Sequence, residues 1–480
     1  MTRSAFTLPN YAKLAGLLLA ALAIFVADLK ANKGAQAESA VLANIPQIVF
    51  VQTPKLTETL GAGRFPEGSR IVLLARGLQN TKPIVLTASF FAAADPQVDF
   101  AGKRVLFAGQ RARGEYWQIW EMSLDSSGLR QITKCDDADC VRPAYLPADE
   151  IAFTRVTTES GRRRTSLQVV GLDGSNLHAV TFGPGEWWLE TVLRDGRILA
   201  SANSPLTDGS ENRLLYTLRP DGTGVESLRC EHTATANRGE ATELEDGTVA
   251  FTQGSGALMA IKRGALHEEK ISTARLSYKT PSTAGQNSIV VATKAANAQR
   301  YQLSIIGANG IGQPRTIYGD PQFDAVEPVT VEARPVPRRF WSNLILSSSS
   351  GYFIALDSAN TVEKPNSVLP IRKVRVLARN AGGEVALGEA PVESDGSFYL
   401  SVPANQAVRF VLLDEHGAVV REERSWVWTR PGEQRGCTGC HGDKALAPEN
   451  RWPLALRRKE PPTMLSGARE PGAAGENRGH

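Results

Sequence analysis

Three short runs between residues 100 and 133 decide the fold: FAGKRVLF (100–107), WQIWEMSLD (117–125) and GLRQIT (128–133). Each run is rich in β-branched or aromatic residues and is bounded by Gly or Asp, which is typical of strands joined by tight turns. Similar runs occur at Glu150–Thr154, Leu167–Val170, Arg197–Leu199 and Thr248–Phe251. No long segment beyond the N-terminal leader has helical periodicity, so the sequence predicts an all-β protein.

The spacing of the turns indicates how these strands are grouped. One class of turn falls at Asp125, Asp173-Gly174 and Asp221-Gly222, with 48 residues between successive members. A second class, at Gly102, Asp149, Asp195-Gly196 and Asp246-Gly247, recurs at intervals of 47, 46 and 51 residues. Two hairpins in each repeat of roughly 40 to 50 residues make four strands, which is one blade of a β-propeller. We therefore predict a propeller of about six blades over residues 45–326; the alternative is an array of β-sandwiches whose turn spacing is accidental.

The residues after the propeller predict a second, smaller β-domain. Residues 327–340 contain three prolines and several charges and are expected to form an extended linker. Alternating runs at Val374–Leu377, Phe398–Leu400 and Val408–Leu413 predict a small β-sandwich over residues 341–428. The motif described below lies in residues 429–465, and the Gly-, Ala- and Glu-rich residues 466–480 are expected to be a disordered tail.

The N-terminal residues predict export. Arg3 and Lys13 precede the apolar stretch Leu14–Ala27, whose 14 residues are too few to cross a bilayer as a helix, which needs roughly 20. This pattern is typical of a secretory signal, and Ala35-Gln36-Ala37 offers a cleavage site. We expect residues 1–37 to be a signal peptide, or alternatively a retained N-terminal anchor, and the protein to be periplasmic. With 22% charged residues and a net charge of +4, the composition is that of an ordinary globular protein and excludes a nucleic-acid-binding stripe.

The sequence Cys437-Thr438-Gly439-Cys440-His441 is a Cys-x-x-Cys-His motif. In this spacing two thiols can join the two vinyl groups of one haem while the adjacent histidine ligates the iron. We predict one covalent haem c, attached at Cys437 and Cys440, with His441 as the proximal iron ligand. The alternatives are a redox dithiol, which would need a βαβ setting, a zinc site, which would need four ligands, and a surface disulfide.

The second axial ligand is less defined by the sequence. Met464 lies 23 residues beyond His441 and is a candidate for the distal iron ligand, although it is also readable as an apolar residue of a loose tail. His416 is a lesser candidate because it falls in a turn. A five-coordinate iron would be open to small molecules. We also expect the motif to fold back onto the sandwich, with Trp426 or Trp428 lining the haem pocket.

The remaining cysteines fit an oxidising compartment. Cys135 and Cys140 are separated by four residues, a spacing that a local disulfide can close. The alternative is two unpaired surface thiols. Cys230 then has no partner and is expected to be a buried small apolar residue.

Two family resemblances accompany these patterns. Between residues 100 and 133 a strand and a turn are followed by an ending similar to Leu-Thr, and this order resembles the repeats of TolB-type propellers. Residues 395–403, 409–414, 425–428 and 430–441, together with 447–450, resemble the middle domain of hydrazine synthase alpha subunits. The resemblance implies a propeller beside a haem-bearing β-domain, with Cys437, Cys440 and His441 as attachment residues. In the hydrazine-forming subunit a tyrosine just past the motif ligates the haem, whereas Ala445 stands four residues after His441 here, and this chain has a single Cys-x-x-Cys-His.

Two functional hypotheses follow, from different classes. The first is a monohaem c-type cytochrome that transfers electrons in the periplasm to a redox partner protein. The second is a haem enzyme that acts on a small nitrogen or oxygen substrate at an open iron, related to the hydrazine synthase alpha subunit. A propeller scaffold with a structural haem is a third reading. The scattered histidines show no acid–base constellation, so the sequence leaves open whether the protein is an enzyme.

Overall fold

The computed structural model describes residues 46–466, except for 58–64, 76–81, 160, 206–210, 229–236, 263–264, 266, 273–274, 286–287, 309–312, 361–369, 381–382, 424, 439–451 and 459. The predicted signal peptide or anchor, residues 1–37, lies outside the described residues, and so do Cys230 and nearly all of the predicted tail. Among the residues that are described, no helix is long and apolar enough to cross a membrane.

In the described part of the chain, twenty-four strands form six four-stranded blades, which confirms the all-β propeller fold. Blades 1 to 3 use β1 (Gln47–Thr53), β2 (Arg70–Leu74), β3 (Ile84–Val85), β4 (Ala92–Val98), β5 (Arg104–Gln110), β6 (Gln118–Ser123), β7 (Arg130–Gln131), β8 (Asp139–Leu146), β9 (Glu150–Glu159), β10 (Arg162–Gly171) and β11 (His178–Ala179). Blades 4 to 6 use β12 (Glu186–Val192), β13 (Ile198–Pro205), β14 (Glu211–Leu218), β15 (Glu226–Ser227), β16 (Arg238–Glu243), β17 (Val249–Gln253), β18 (Leu258–Ile261), β19 (Glu269–Lys270), β20 (Leu276–Thr283), β21 (Ser288–Ala295), β22 (Gln302–Gly307) and β23 (Arg315–Tyr318). Blades 3 and 4 share one sheet because Thr165 of β10 pairs with Glu186 of β12.

The last strand of the propeller closes the ring. The strand β24 (Asp324–Val331) pairs with β1, so blade 1 combines the beginning and the end of the propeller sequence in the order β24-β1-β2-β3. The linker predicted from residue 327 therefore starts five residues later, because 327–331 belong to this strand. Pro328, which looked like a linker signal, lies where the register of β24 against β1 shifts. A β-bulge tolerates proline because its N–H group is not needed for the ladder.

A ring of β-bulges lines the central channel. The innermost strand of each blade is bulged at one polar or charged residue, and the side chain or backbone of that residue bonds to an adjacent blade. The bulge residues of blades 1 to 6 are Glu327, Asp95, Arg142, Glu190, Glu240 and Thr280. Backbone N–H groups donate to side-chain oxygens of an adjacent blade, with the donor named first: Asp95 to Glu327 (2.7 Å), Arg142 to Asp95 (3.0 Å), Ala241 to Glu190 (3.1 Å), Thr280 to Glu240 (2.9 Å) and Glu327 to Thr280 (2.9 Å). In addition, the Arg142 guanidinium lies 3.4 Å from the Glu190 carboxylate. These contacts link all six blades in a closed belt.

The second part of the chain is a β-sandwich. One sheet has the order β31-β25-β28-β32 and the other β27-β26-β29-β30. The strands are β25 (Ser350–Ala355), β26 (Lys373–Asn380), β27 (Gly383–Pro391), β28 (Phe398–Pro403), β29 (Val408–Leu413), β30 (Val419–Glu422), β31 (Gln434–Cys437) and β32 (Thr463–Met464), with one turn of helix at Leu454–Arg457. Their inward side chains, including Phe353, Val376, Phe398 and Leu400, form a separate apolar core.

The sandwich is attached to the propeller by a buried tryptophan. Trp428 is completely buried, and its indole N–H donates to the carbonyl of Gly222 at 3.0 Å. Its ring lies 5.2 Å from that of Trp187 and 6.1 Å from that of Phe182, both propeller residues. The Arg430 guanidinium donates to the Asp221 carbonyl on the same turn at 2.8 Å. The two parts of the molecule therefore share a packed interface rather than only a covalent linker.

Candidate haem-attachment site

Cys437 is the last residue of an edge strand of the sandwich. The strand β31 runs parallel to β25, and Cys437 stands opposite Ala355. Its carbonyl accepts a hydrogen bond from the N–H of Leu356 at 2.9 Å. Thr438 follows outside the strand and is exposed. The expectation that the motif folds back onto the sandwich therefore holds for its first cysteine.

The Cys437 thiol is free and half-buried, and it packs against the sandwich core. Burial raises the pKa of this thiol, Glu423 adds to the rise, and Arg435 opposes it. The sulfur therefore stays protonated at neutral pH, which makes it a poor partner for disulfide exchange. The sulfur is not joined to another cysteine.

Arg435 fixes the strand that carries Cys437, and the sequence analysis did not identify it. Its guanidinium donates to the carbonyl of Trp428 at 3.2 Å and to the carbonyl of Val225 in blade 4. It also lies 5.8 Å from the centre of the Phe353 ring. Because alternate residues of a strand point to the same side, Arg435 and Cys437 share one side of β31. The sequence feature that could have identified this residue is an arginine two residues before the first cysteine of the motif.

The described part of the motif fits a covalent haem. Its first cysteine has a free sulfur at the point where the chain leaves the sheet, so a thioether at Cys437 would break no existing bond. Cys440 and His441 lie outside the described residues, and the sequence places them three and four residues further on. Within the described ranges, no group of three or more His, Cys, Asp or Glu side chains could hold a bare metal ion.

The two candidate distal ligands lie elsewhere. Met464 is on β32, at the opposite edge of the sheet from β31, so the two edges are about 14 Å apart at three strand spacings. Its side chain is 65% exposed. His416 is exposed in the turn after β29, beside Glu415. The structure does not bring either residue next to Cys437, and Met464 as a ligand stays a prediction.

The two tryptophans before the motif are packed rather than open. Trp428 has no exposed surface for a haem, since the propeller covers it. Trp426 is 6% exposed, and the Arg409 guanidinium lies 5.9 Å from its ring centre. The expectation that Trp428 lines a haem pocket is therefore wrong, because this side chain is used to dock the sandwich onto blades 3 and 4.

A disulfide joins Cys135, in the segment between β7 and β8, to Cys140, the second residue of β8. Both residues are buried within the propeller core, and the Cys140 N–H donates to the carbonyl of Trp117 at 2.8 Å. The bond closes a short loop at the edge of blade 3. A disulfide is consistent with an oxidising compartment.

A separate cavity of about 520 Å³ occupies the propeller channel. It is lined by the bulge residues of all six blades and, at one side, by the start of the linker from Glu332 to Pro337. The cavity is rich in charge, and it belongs to the propeller rather than to the Cys437 site.

Known proteins resemble this chain in both its parts. A family model described as the hydrazine synthase alpha subunit middle domain matches residues 375–442, which include Cys437, Cys440 and His441. The hydrazine synthase subunit alpha of Kuenenia stuttgartiensis is 40% identical over 111 residues, and the match covers 22% of this chain and 13% of that relative. The solved hydrazine synthase of Kuenenia stuttgartiensis aligns with a TM-score of 0.75 and 19% identity, over 86% of this chain and 71% of that one. TolB from Acinetobacter baumannii aligns with a TM-score of 0.45 and 16% identity, over 59% of this chain and 66% of that one.

The family model covers part of the sandwich together with the motif, and the solved structure extends the shared fold to the propeller. The chain is therefore similar to hydrazine synthase alpha subunits: residues 375–442 match their middle domain, and the solved hydrazine synthase shares the fold of the propeller followed by the sandwich.

Proposed function

We propose that this protein is an exported haem c protein that acts as an enzyme on a small nitrogen or oxygen substrate at its iron. The observation that carries the proposal is the family match, which includes the complete Cys-x-x-Cys-His motif. The curated relative is named as a subunit of a synthase, and that name supports the enzyme hypothesis better than the electron-transfer hypothesis. Hydrazine formation itself is not part of the proposal, since the match covers 13% of that relative.

Three residues would hold the haem. The Cys437 and Cys440 thiols would each add across one vinyl group, the sulfur bonding to carbon and the thiol proton going to the neighbouring carbon. His441 would ligate the iron from one side. Bound haem supplies an iron atom that can hold a small ligand at its sixth position. The parallel pairing of β31 with β25 and the anchoring of Arg435 would fix the backbone on which this group is mounted.

Export to the periplasm and a redox partner belong to the same proposal. The disulfide between Cys135 and Cys140 supports an oxidising compartment. A haem that changes oxidation state needs a protein that supplies or removes electrons, which is the partner we expect. The leader residues that would direct export lie outside the described residues.

The optical response to carbon monoxide tests the enzyme proposal. The full chain, produced in the periplasm with haem-maturation factors and reduced with dithionite, should shift its Soret band when carbon monoxide is added. The reason is that carbon monoxide binds ferrous haem only when the sixth position is open or held by a labile ligand. The same protein kept oxidised is the control and should not respond.

An unchanged ferrous spectrum would contradict the proposal and favour electron transfer through a six-coordinate iron. In that case the variant Met464→Ala decides the ligand. A new carbon monoxide response in this variant identifies Met464 as the distal ligand, and its continued absence assigns the ligand to another residue.

A further inference from the structure

The linker between the propeller and the sandwich carries a cluster of exposed apolar side chains. Trp341 is 75% exposed, Ile345 is 56% exposed and Leu346 is 80% exposed. Among the other large hydrophobic side chains that are exposed in the described part of the chain, Val336 lies shortly before this cluster, and the rest are widely separated in sequence. Singly exposed apolar residues are common on protein surfaces, whereas a cluster indicates a surface that contacts a partner or a membrane.

The linker is held in place by residues other than these. The half-buried ring of Phe340 lies 5.5 Å from the guanidinium of Arg219 in blade 4. At the other end of the segment, the backbone N–H of Ile345 donates to the carbonyl of Pro431 at 3.0 Å. The two most exposed side chains of the cluster therefore project into solvent from a segment that is attached at both ends.

The charge of this segment has a single sign. Between Glu332 and Asp357 the sequence has three arginines and no Asp, Glu or Lys. Arg338 and Arg339 are exposed, and within the described residues neither has a carboxylate at salt-bridge distance. The Arg339 guanidinium lies 4.3 Å from the centre of the Trp341 ring, which is a cation–π contact. The linker patch is defined here as Arg338, Arg339, Trp341, Ile345 and Leu346.

Carboxylates on the elements that support the linker already have partners. Asp195, in the turn of blade 4 on which the linker rests, pairs with Arg197 at 3.0 Å. Glu433, in the turn before β31, accepts the backbone N–H groups of Gly224 at 2.9 Å and Arg430 at 2.8 Å. These carboxylates therefore do not neutralise the arginines of the linker patch.

We propose that the linker patch docks the protein onto an anionic lipid surface. Indole rings favour the boundary between lipid headgroups and acyl chains, aliphatic side chains enter the acyl region, and guanidinium groups are attracted to anionic headgroups. Lipids rearrange around side chains that project singly from a chain, whereas a protein partner has to match their shape. Positive charge without interspersed carboxylates is complementary to such a membrane.

Trypsin digestion in the presence of lipid vesicles tests contact at the linker patch itself, because trypsin cuts after Arg338 and Arg339. The full haem-loaded chain is digested alone, with vesicles of phosphatidylglycerol and phosphatidylcholine in equal parts, and with vesicles of phosphatidylcholine alone. The anionic vesicles should slow these two cuts about tenfold or more, and phosphatidylcholine alone should slow them less because it has no net charge. Cutting after Arg113, whose side chain is 81% exposed in blade 2, is the internal control and should not change.

Trp341→Ser combined with Leu346→Ser removes the apolar part of the patch and should abolish the protection. Both side chains are largely exposed, so this variant should melt at the wild-type temperature. Ile84→Ser combined with Leu177→Ser is the matched control, since it removes two exposed apolar side chains of the propeller and should be protected like the wild type. Leu346→Ser alone provides the comparison if the first variant does not fold.

Equal cutting after Arg338 and Arg339 with and without anionic vesicles would overturn the proposal. Full protection of the variant with serine at both positions would also overturn it, and equal protection by phosphatidylcholine alone would overturn the anionic surface. Sedimentation velocity without lipid examines the other occupant. A wild-type dimer that becomes a monomer in the same variant would assign the linker patch to a second copy of the chain and contradict docking on lipid.

Discussion

Among the described cysteines, Cys437 is distinguished by its free sulfur, since Cys135 and Cys140 are joined to each other. Cys437 is held by the backbone pairing of β31, and the chain leaves the sheet directly after it. Thr438 continues the chain outward, and the two other motif residues follow. The cofactor hypothesis therefore depends on three residues, Cys437, Cys440 and His441.

Replacing Cys437 and Cys440 together by Ser should abolish covalent haem. The reason is that the hydroxyl of serine does not form the thioether bonds that this motif provides. Haem staining of the denatured protein after electrophoresis is the measurement, and the wild-type band should stain. Cys230→Ser is the control and should stain like the wild type. A stained band in the double variant would refute attachment at this motif.

Trp428→Ala should lower the free energy of unfolding by about 3 to 5 kcal/mol, the usual cost of removing a large buried aromatic side chain. The change leaves a cavity against Trp187 and removes the donor to the Gly222 carbonyl. Urea unfolding followed by tryptophan fluorescence and by circular dichroism measures the effect. Trp341→Ala is the control, because Trp341 is 75% exposed, and it should change stability by about 0.5 kcal/mol or less. Similar losses for both variants would contradict the docking role of Trp428.

At the scale of the element, the turn between β12 and β13 supports the linker. Gly196 has a φ of +86°, and a Cβ there would lie 1.9 Å from the carbonyl oxygen of Arg338. Gly247 is the corresponding turn residue of the next blade, with a φ of +82° and nothing within 4 Å of a Cβ. The two glycines have the same backbone conformation, but of the two only Gly196 lies against the linker.

Gly196→Ala should therefore cost more than Gly247→Ala. Both substitutions add a side chain at positive φ, which costs of order 1–3 kcal/mol, and only the first also forces the linker to move. Trypsin digestion of the folded protein should cut faster after Arg338 and Arg339 in Gly196→Ala than in the wild type. Gly247→Ala should be cut at the wild-type rate at these sites. Equal rates in the two variants would show that the linker does not rest on this turn.

At the scale of the whole molecule, ring closure depends on contacts between residues far apart in sequence. The strand β24 pairs with β1 through Val49 and Val329, among others, and Glu327 accepts the N–H of Asp95 in the next blade. The same Glu327 donates its N–H to Thr280 in the preceding blade. The belt of bulge residues thus joins the first and last blades as well as all those between them.

Glu327→Ala should destabilise the propeller by about 1 to 3 kcal/mol, since it leaves the Asp95 N–H without its acceptor. Thermal unfolding gives the size of the effect. Hydrogen exchange of β4 and β24 should increase more than that of β17, which lies on the far side of the ring. Glu332→Ala changes an exposed carboxylate of the linker and should leave exchange unchanged. A uniform rise over all blades would argue against a role in closure.

The sequence by itself determined the features that are encoded locally. Asp-Gly turns need positive φ, and their regular spacing therefore indicated four-stranded blades before any contact was known. The Cys-x-x-Cys-His motif is also local, because five successive residues define it. A further local signal is a proline directly after the bulge residue of an inner strand, at Asp95-Pro96, Arg142-Pro143, Thr280-Pro281 and Glu327-Pro328. The last of these pairs was predicted to lie in the linker.

Only the tertiary structure decided the features that depend on distant partners. The extension of the propeller to Val331, in β24 of blade 1, follows from pairing with β1, nearly the whole propeller away along the chain. Trp428 is a docking residue rather than a haem-pocket wall because Phe182 and Trp187 meet it. Local sequence sets backbone angles and alternation within a few residues. Which buried side chain meets which charge or ring is fixed only when the six blades and the sandwich pack together.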